Sequence, residues 1–121
     1  MVLVDTSIWI DHLRAGNHRL ETLLLDAEVA CHPQIIGELA CGNIRNRDEV
    51  LNLLQALPIA PTIAQDEFFF FVGRHLLMGQ GIGFVDVHLL ASAQLSDLLL
   101  WTHDRRLRTA AGKLGIAWST A

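Results

Sequence analysis

Short apolar runs alternate along the chain with segments in which apolar residues recur at helical spacing. Runs with the β-favouring or continuously apolar character of strands occur at residues 2–4, 29–31, 98–102 and 116–118. Between the first two runs, the spacing predicts two short helices broken near Gly16 and Asn17. Further helices are predicted over residues 34–41, 48–57, 64–78 and 85–95, and from Asp104 to about residue 114. This alternation predicts an α/β fold with a mostly parallel central sheet and helices on both faces.

The length and composition predict one folded domain over residues 1–121. Hydrophobic residues make up 51% of the chain and charged residues only 18%, which is typical of a domain with a packed core. The longest apolar runs are far shorter than the roughly 20 residues of a membrane-spanning helix. The N-terminal segment also lacks the pattern of a secretory signal peptide. We therefore expect a cytoplasmic protein without a membrane segment.

The chain has two cysteines, Cys31 and Cys41, and no CxxC pair. This number and spacing indicate neither a disulfide framework nor a structural zinc site. Because free cysteine behaves as a small hydrophobic residue, we expect both to be packed thiols.

The net charge of −4 argues against a protein that holds nucleic acid by electrostatics alone. An excess of carboxylates, however, is also what a cation site leaves in the composition. Eight of the nine basic residues are arginine, whose guanidinium group can grip a phosphate through two hydrogen bonds. The overall charge therefore excludes neither a metal site nor a phosphate ligand.

Two acidic residues come shortly after predicted strands. Asp5 comes after the strand at 2–4, and Asp104 comes after the strand at 98–102. In open parallel sheets, ligands bind outside the carboxyl ends of the strands, so both positions are candidates for a site. The alternative for each is an N-cap, in which the carboxylate accepts a hydrogen bond from a backbone N–H at the start of a helix.

Two further acids lie among apolar residues, Glu38 in its helix and Asp86 near the start of another. We expect Glu38 to lie beside the apolar face of its helix, since Ile35, Ile36 and Leu39 surround it; partial exposure is the alternative. A helix-cap role is the alternative for Asp86. Clustered carboxylates repel each other unless a cation lies among them, and hard ions such as Mg²⁺ or Mn²⁺ prefer oxygen ligands. The six histidines show no zinc-binding spacing such as HExxH.

Four segments resemble the acidic motifs of PIN domains, and in particular of the VapC toxins of type II toxin–antitoxin modules. The resemblance covers nearly the whole chain, in order and at the spacing of the family. It is carried by four segments: Asp5-Thr6-Ser7, Glu38 within 36–39, Asp86 ahead of 89–93, and Thr102-His103-Asp104.

The resemblance implies a PIN-like (Rossmann-like) three-layer fold and an endoribonuclease that needs Mg²⁺ or Mn²⁺ to hydrolyse RNA phosphodiester bonds. Its substrate would be a structured RNA such as transfer or ribosomal RNA. It also implies a homodimer that a cognate antitoxin protein silences in a hetero-oligomeric complex. The catalytic acids that it implies are Asp5, Glu38, Asp86 and Asp104. Of these, the metal ligands would be Asp5, Asp86 and Asp104. Ser7 and Thr102 would support the acids through their hydroxyl groups, and His103 would have no catalytic role.

Two further groups of residues are candidates for contacts with ligands. Arg105 and Arg106, with Arg108 nearby, follow Asp104 and are expected to bind phosphate; a solvated helix face is the alternative. The run from Phe68 to Phe71, together with Trp9, is the candidate interaction surface for a second copy of the chain or an antitoxin helix. Burial in the core is the alternative for these aromatic residues.

Two other classes of function are alternatives to a nuclease. A phosphoacceptor signalling domain typically pairs two adjacent acids near its N-terminus and has a lysine after a later strand. Here Asp5 is followed by Thr6 and the only lysine is Lys113, which speaks against that class. A catalytically silent PIN-like module that binds RNA or protein is the remaining alternative; loss of one acid would favour it, and none is missing.

Overall fold

The computed structural model describes residues 1–119. Within them, three parallel strands form a sheet in the order β2-β1-β3. The strands are β1 (Val2–Val4), β2 (Val29–Ala30) and β3 (Leu99–Trp101). The helices are α1 (Thr6–Ala15), α2 (His18–Leu25), α3 (Pro33–Cys41), α4 (Arg47–Gln55), α5 (Gln65–His75), α6 (Phe84–Leu95) and α7 (Arg105–Lys113). The parallel pairing follows from the helices that connect successive strands, because a crossover returns the chain to the same end of the sheet.

The register of the sheet sets the position of the polar residues that follow its strands. The central strand β1 is buried along its whole length and pairs with both neighbours. Val4 lies opposite Trp101 at the end of β3, and the Asp5 N–H donates to the Trp101 carbonyl oxygen at 2.9 Å. The next residues, Asp5 and Thr102, therefore lie side by side at the carboxyl edge of the sheet.

Helix α6 is the most buried helix among the described residues. Residues 87–93 are all buried, and the helix packs against both β3 and α5. Because this helix has few polar positions, its burial anchors it firmly in the core. Its first turn carries Asp86, so the core holds this acid in place.

The strand predicted at 116–118 forms only a single bridge, between Leu100 and Ala117. The Leu100 N–H donates to the Ile116 carbonyl at 2.7 Å, and the Trp118 N–H donates to the Leu100 carbonyl at 2.9 Å. The parallel pairing is thus as predicted, whereas the prediction of a full strand is wrong. A left-handed turn at Gly115 (φ 73°) ends α7 directly before this segment and leaves little extended backbone for a strand.

The aromatic run in α5 is divided between the core and the surface. Phe71 is buried and Phe68 is partly buried, whereas Phe69 and Phe70 are 63% and 69% exposed. Trp9 is only 4% exposed and belongs to the hydrophobic core, so its assignment to the same surface is wrong. The phenylalanines are divided because helical geometry turns successive side chains of α5 to different sides.

The two cysteines differ in their surroundings. Cys31 is fully buried, and this burial raises the pKa of its thiol to about 11. Cys41 is exposed at the last turn of α3, so the prediction that it is a packed thiol is wrong. Throughout residues 1–119, no helix has both the length and the apolar character needed to cross a bilayer.

Candidate active site

Asp5 is a buried carboxylate at the end of the central strand, with only 7% of its surface exposed. Its Oδ1 accepts a hydrogen bond from the Thr6 N–H at 2.8 Å and so caps α1. Its Oδ2 accepts from the Thr102 hydroxyl at 2.7 Å and from the Ser7 hydroxyl at 3.4 Å. The cap therefore uses one carboxylate oxygen, while two hydroxyl groups orient the other.

Thr102 connects two of the predicted acids. Its hydroxyl donates to Asp5 and accepts from the Asp104 N–H at 3.0 Å. Asp104 is exposed and caps α7 by accepting from the Leu107 N–H at 3.0 Å. These hydrogen bonds fix the starts of α1 and α7 relative to each other. Ser7 and Thr102 both contact Asp5 through their hydroxyl groups, and their supporting role stays a prediction.

Asp86 is half-buried in the first turn of α6, beside the other acids. Burial, together with the negative charges of Asp5, Asp104 and Glu38, raises the pKa of its carboxyl to about 6, against the lowering effect of a backbone hydrogen bond at Gly83. Desolvation and like charges both favour the neutral form of an acid. Asp5, Asp104 and Glu38 therefore lie near enough to Asp86 for their charges to act on its carboxyl.

Glu38 lies at the exposed side of this cluster. We expected it beside the apolar face of α3, but Ile35 and Leu39 occupy the buried face and Glu38 is exposed. Its Oε1 accepts a hydrogen bond from the Thr6 hydroxyl at 2.7 Å. Thr6 directly follows Asp5, so this hydrogen bond connects Glu38 to the start of α1. The sequence did not indicate this contact.

The donor set fits a hard divalent cation. None of the four carboxylates forms an ion pair with a basic side chain of residues 1–119. The same part of the chain contains no group of three or more His, Cys, Asp or Glu side chains already arranged to hold a metal. Mg²⁺ commonly uses one or two carboxylates together with waters and substrate phosphate. Two of these acids would therefore suffice, and the three-ligand set of Asp5, Asp86 and Asp104 stays a prediction.

The structure adds an imidazole–carboxylate pair at the edge of the site. The Nε2 atom of His103 lies 2.8 Å from Oδ2 of Asp11 on α1, and both side chains are about half exposed. The His103 N–H also donates to the Ser7 hydroxyl at 3.4 Å. The residues of this pair are 92 positions apart, so no local pattern predicts their contact.

Arg105 and Arg106 are exposed in the first turn of α7. The guanidinium group of Arg106 lies so close to Gly81 that a Cβ atom at that position would clash with it. Gly81 also has a φ of 74°, a conformation that favours glycine. Arg106 therefore reaches from α7 to the loop that precedes Asp86, which is compatible with the predicted phosphate contact.

The PIN domain family model matches residues 2–113. The chain belongs to the PIN-domain family, as its acidic motifs predict. Two proteins named ribonuclease VapC32, from Mycobacterium tuberculosis strains CDC 1551 / Oshkosh and ATCC 25618 / H37Rv, are each 50% identical to it over 118 residues. Each match covers 97% of this chain and 95% of the relative, which places the chain among the VapC ribonucleases.

The fold is also found in a solved structure. PAE2754 from Pyrobaculum aerophilum superimposes with a TM-score of 0.61 over 94% of both chains, at 18% sequence identity. At that identity the likeness concerns the fold alone. Together with the family match, it confirms the predicted PIN-like three-layer α/β fold.

Proposed function

We propose that this protein is the toxin of a type II toxin–antitoxin module, and that its single PIN domain over residues 1–121 is a Mg²⁺- or Mn²⁺-dependent endoribonuclease. The observation that carries the proposal is that Thr102 links Asp5 to Asp104 at the carboxyl edge of the sheet, with Asp86 close enough for their charges to act on it. Like charges that act on one another destabilise a fold unless a cation offsets them. The 50% identity to two ribonucleases supports RNA as the substrate.

The roles of the acids follow from their surroundings. Asp5 and Asp86 would hold the cation directly or through water, with Asp104 completing the cluster. When bound, the cation supplies Lewis acidity that makes water more acidic and offsets charge on the reacting phosphate. Glu38, exposed and held by Thr6, would position the attacking water and accept its proton as a general base. Arg105 and Arg106 would bind the phosphate backbone on the α7 side.

The partners follow from the proposed class. The RNA substrate would be a structured RNA such as transfer or ribosomal RNA, met in the cytoplasm. A cognate antitoxin protein would silence the enzyme in a hetero-oligomeric complex built on a toxin homodimer. Phe69 and Phe70, both exposed on α5, provide apolar surface for such contacts.

The test is cleavage of total RNA by purified, antitoxin-free protein. We expect discrete fragments with Mg²⁺ or Mn²⁺, none with EDTA, and none from an Asp5→Asn variant. Asparagine preserves the shape and the helix cap, so the loss would report on charge at the site. A folded wild-type protein that yields no metal-dependent fragments would overturn the proposal and favour a silent RNA- or protein-binding module.

Thr102→Val should lower the cleavage rate by roughly 10- to 100-fold, the range that residues supporting a metal ligand commonly contribute. Valine keeps the shape of the side chain but removes the hydroxyl that donates to Asp5 and accepts from the Asp104 N–H. Thr102→Ser keeps the hydroxyl and should retain most of the rate. Single-turnover cleavage of one mapped RNA would measure all three proteins, and an unchanged rate in Thr102→Val would remove Thr102 from the site.

A further inference from the structure

A second feature adjoins the acidic site, a cleft of about 380 Å³ between the starts of α2 and α7. Its lining includes the side chains of two arginines and two tryptophans, with Thr102 and His103 at the side of the acids. We call it the Arg–Trp cleft. It is defined by Arg19, Arg108, Trp101, Trp118, Thr102 and His103.

The Arg–Trp cleft has cationic groups available for a ligand. Arg19 on α2 and Arg108 on α7 are both exposed, and neither forms an ion pair within the described part of the chain. Two guanidinium groups from separate helices therefore face one concavity without a protein anion to neutralise them. Guanidinium groups are well shaped to bind phosphate oxygens. A phosphate group is therefore the ligand whose charge best complements this cleft.

The Arg–Trp cleft also has a preorganised aromatic surface. Trp118 is half-buried, and its ring packs against buried Trp101 with 4.4 Å between centroids. The Trp118 N–H donates to the Leu100 carbonyl at 2.9 Å, which ties the backbone of Trp118 to strand β3. The indole is thus held in place before any ligand arrives. A fixed aromatic ring beside cations is the combination that binds unpaired nucleic-acid bases through stacking and their phosphates through charge.

The cleft shares Thr102 with the acidic site. Thr102, which lines it, donates to the Oδ2 atom of Asp5 at 2.7 Å, and His103 lies between Thr102 and Asp104. A polymer that places one phosphate at the carboxylates would therefore extend into the cleft with a neighbouring nucleotide.

We propose that the Arg–Trp cleft binds a nucleotide of the RNA substrate that flanks the scissile bond, with its phosphate at Arg19 and Arg108 and its base on Trp118. The proposal rests on the proposed ribonuclease function and adds a subsite to it. An acidic peptide could pair with the two arginines but would leave the exposed face of the tryptophan ring without a partner. RNA would use both the arginines and the tryptophan.

Binding can be tested apart from cleavage in an Asp5→Asn background. The probe is a short, fluorescently labelled, single-stranded oligoribonucleotide of mixed sequence, and its dissociation constant is measured over a range of salt concentrations. The double variant Arg19→Gln with Arg108→Gln should weaken binding of the probe. It should also reduce the slope of log affinity against log salt concentration by about 0.7 per lost phosphate contact. Trp118→Leu should weaken binding roughly 5- to 100-fold, whereas Trp118→Phe should retain most of it.

The matched control is Arg45→Gln with Arg74→Gln, which removes the same charge from exposed positions outside the cleft. This control should leave most of the affinity in place. If the cleft variants bind the probe as the control does, the subsite is wrong, even where wild-type protein still cleaves RNA. Loss of binding to the antitoxin but not to RNA would likewise overturn it. Absence of any metal-dependent cleavage by wild-type protein would instead count against the proposed function.

Discussion

Asp86→Asn should abolish metal-dependent RNA cleavage and, at the same time, raise the melting temperature of the metal-free protein at neutral pH. The loss of cleavage should exceed the roughly 100-fold that supporting residues contribute, because Asp86 is a proposed ligand itself. The gain in stability has a separate cause. Burial and the charges of Asp5, Asp104 and Glu38 oppose ionisation of Asp86, so the folded protein holds an unfavourable charge that asparagine removes.

The pH dependence of the free energy of unfolding also tests the raised pKa of Asp86, because the direction of the expected change is known. The pKa of Asp86 is raised from its ordinary value of 3.8 to about 6, so the folded state binds this proton more tightly than the unfolded state. The contribution of Asp86 to the free energy of unfolding therefore falls as pH rises between these two values. Urea denaturation in EDTA, above and below this window, should show the stability advantage of Asp86→Asn over wild type growing as pH rises.

A control variant at another acidic residue distinguishes an effect at the site from an effect of net charge. Asp66→Asn removes one negative charge from the exposed first turn of α5, where an acid is favourable to the helix dipole. It should leave cleavage intact and lower stability slightly. If Asp86→Asn retained full cleavage, or if metal-free Asp86→Asn were less stable than wild type at neutral pH, the account of Asp86 would be wrong.

His32→Ala should destabilise the protein by about 2–4 kcal/mol, the sum of a lost helix cap and a buried hydrogen-bond partner left unpaired. His32 is fully buried and its Nδ1 accepts from the Gln34 N–H at 3.0 Å, which caps α3. The proton of the neutral ring is therefore on Nε2, which donates to the Ser92 hydroxyl of α6 at 3.1 Å. One side chain thus connects the helix of Glu38 to the helix of Asp86.

The pH dependence expected from His32 has the opposite sign to that of Asp86. Burial, together with the neighbouring His88 imidazole, lowers the pKa of His32 from 6.5 to about 4. Its contribution to stability is complete above the unfolded value and is lost as pH falls through this range. Measuring urea denaturation in the Asp86→Asn background removes the opposing titration. There, His32→Ala should flatten the acid side of the stability profile.

Two controls accompany the His32 variant. Ser92→Ala removes only the partner hydroxyl and should cost about 1 kcal/mol. His18→Ala, at an exposed position of α2, should leave the acid profile unchanged. A cost below about 1 kcal/mol for His32→Ala would show that the cap and the link between α3 and α6 do not stabilise the fold.

Local patterns predicted most of the fold and the identity of the clustered acids. Asp5 and Asp104 could be ranked because each comes within three residues of the end of a strand, and parallel strands end at one edge. The exposed position of Glu38 was missed because apolar neighbours in sequence need not share its face of a helix. The segment at 116–118 was predicted as a full strand. The left-handed Gly115 and the short segment after it limit its pairing to one bridge.

The contacts that hold the site together could not be predicted from local patterns. Thr6 and Glu38 are 32 positions apart, and Asp11 and His103 are 92 positions apart. Their pairing depends on how α1 packs beside α3 and on where β3 ends, which is tertiary information. The resemblance to PIN domains indicated which acids matter, whereas the hydrogen bonds show how hydroxyl groups orient them.

The central claim is that the acidic site binds a divalent cation through Asp5 and Asp86, and Mn²⁺ binding followed by electron paramagnetic resonance tests it most directly. Titration of Mn²⁺ into wild-type protein at neutral pH should deplete the free-ion signal in a saturable manner. Asp5→Asn and Asp86→Asn should each abolish or greatly weaken this binding, and Asp66→Asn should leave it unchanged. Equal Mn²⁺ binding by wild type, Asp5→Asn and Asp86→Asn would contradict the claim.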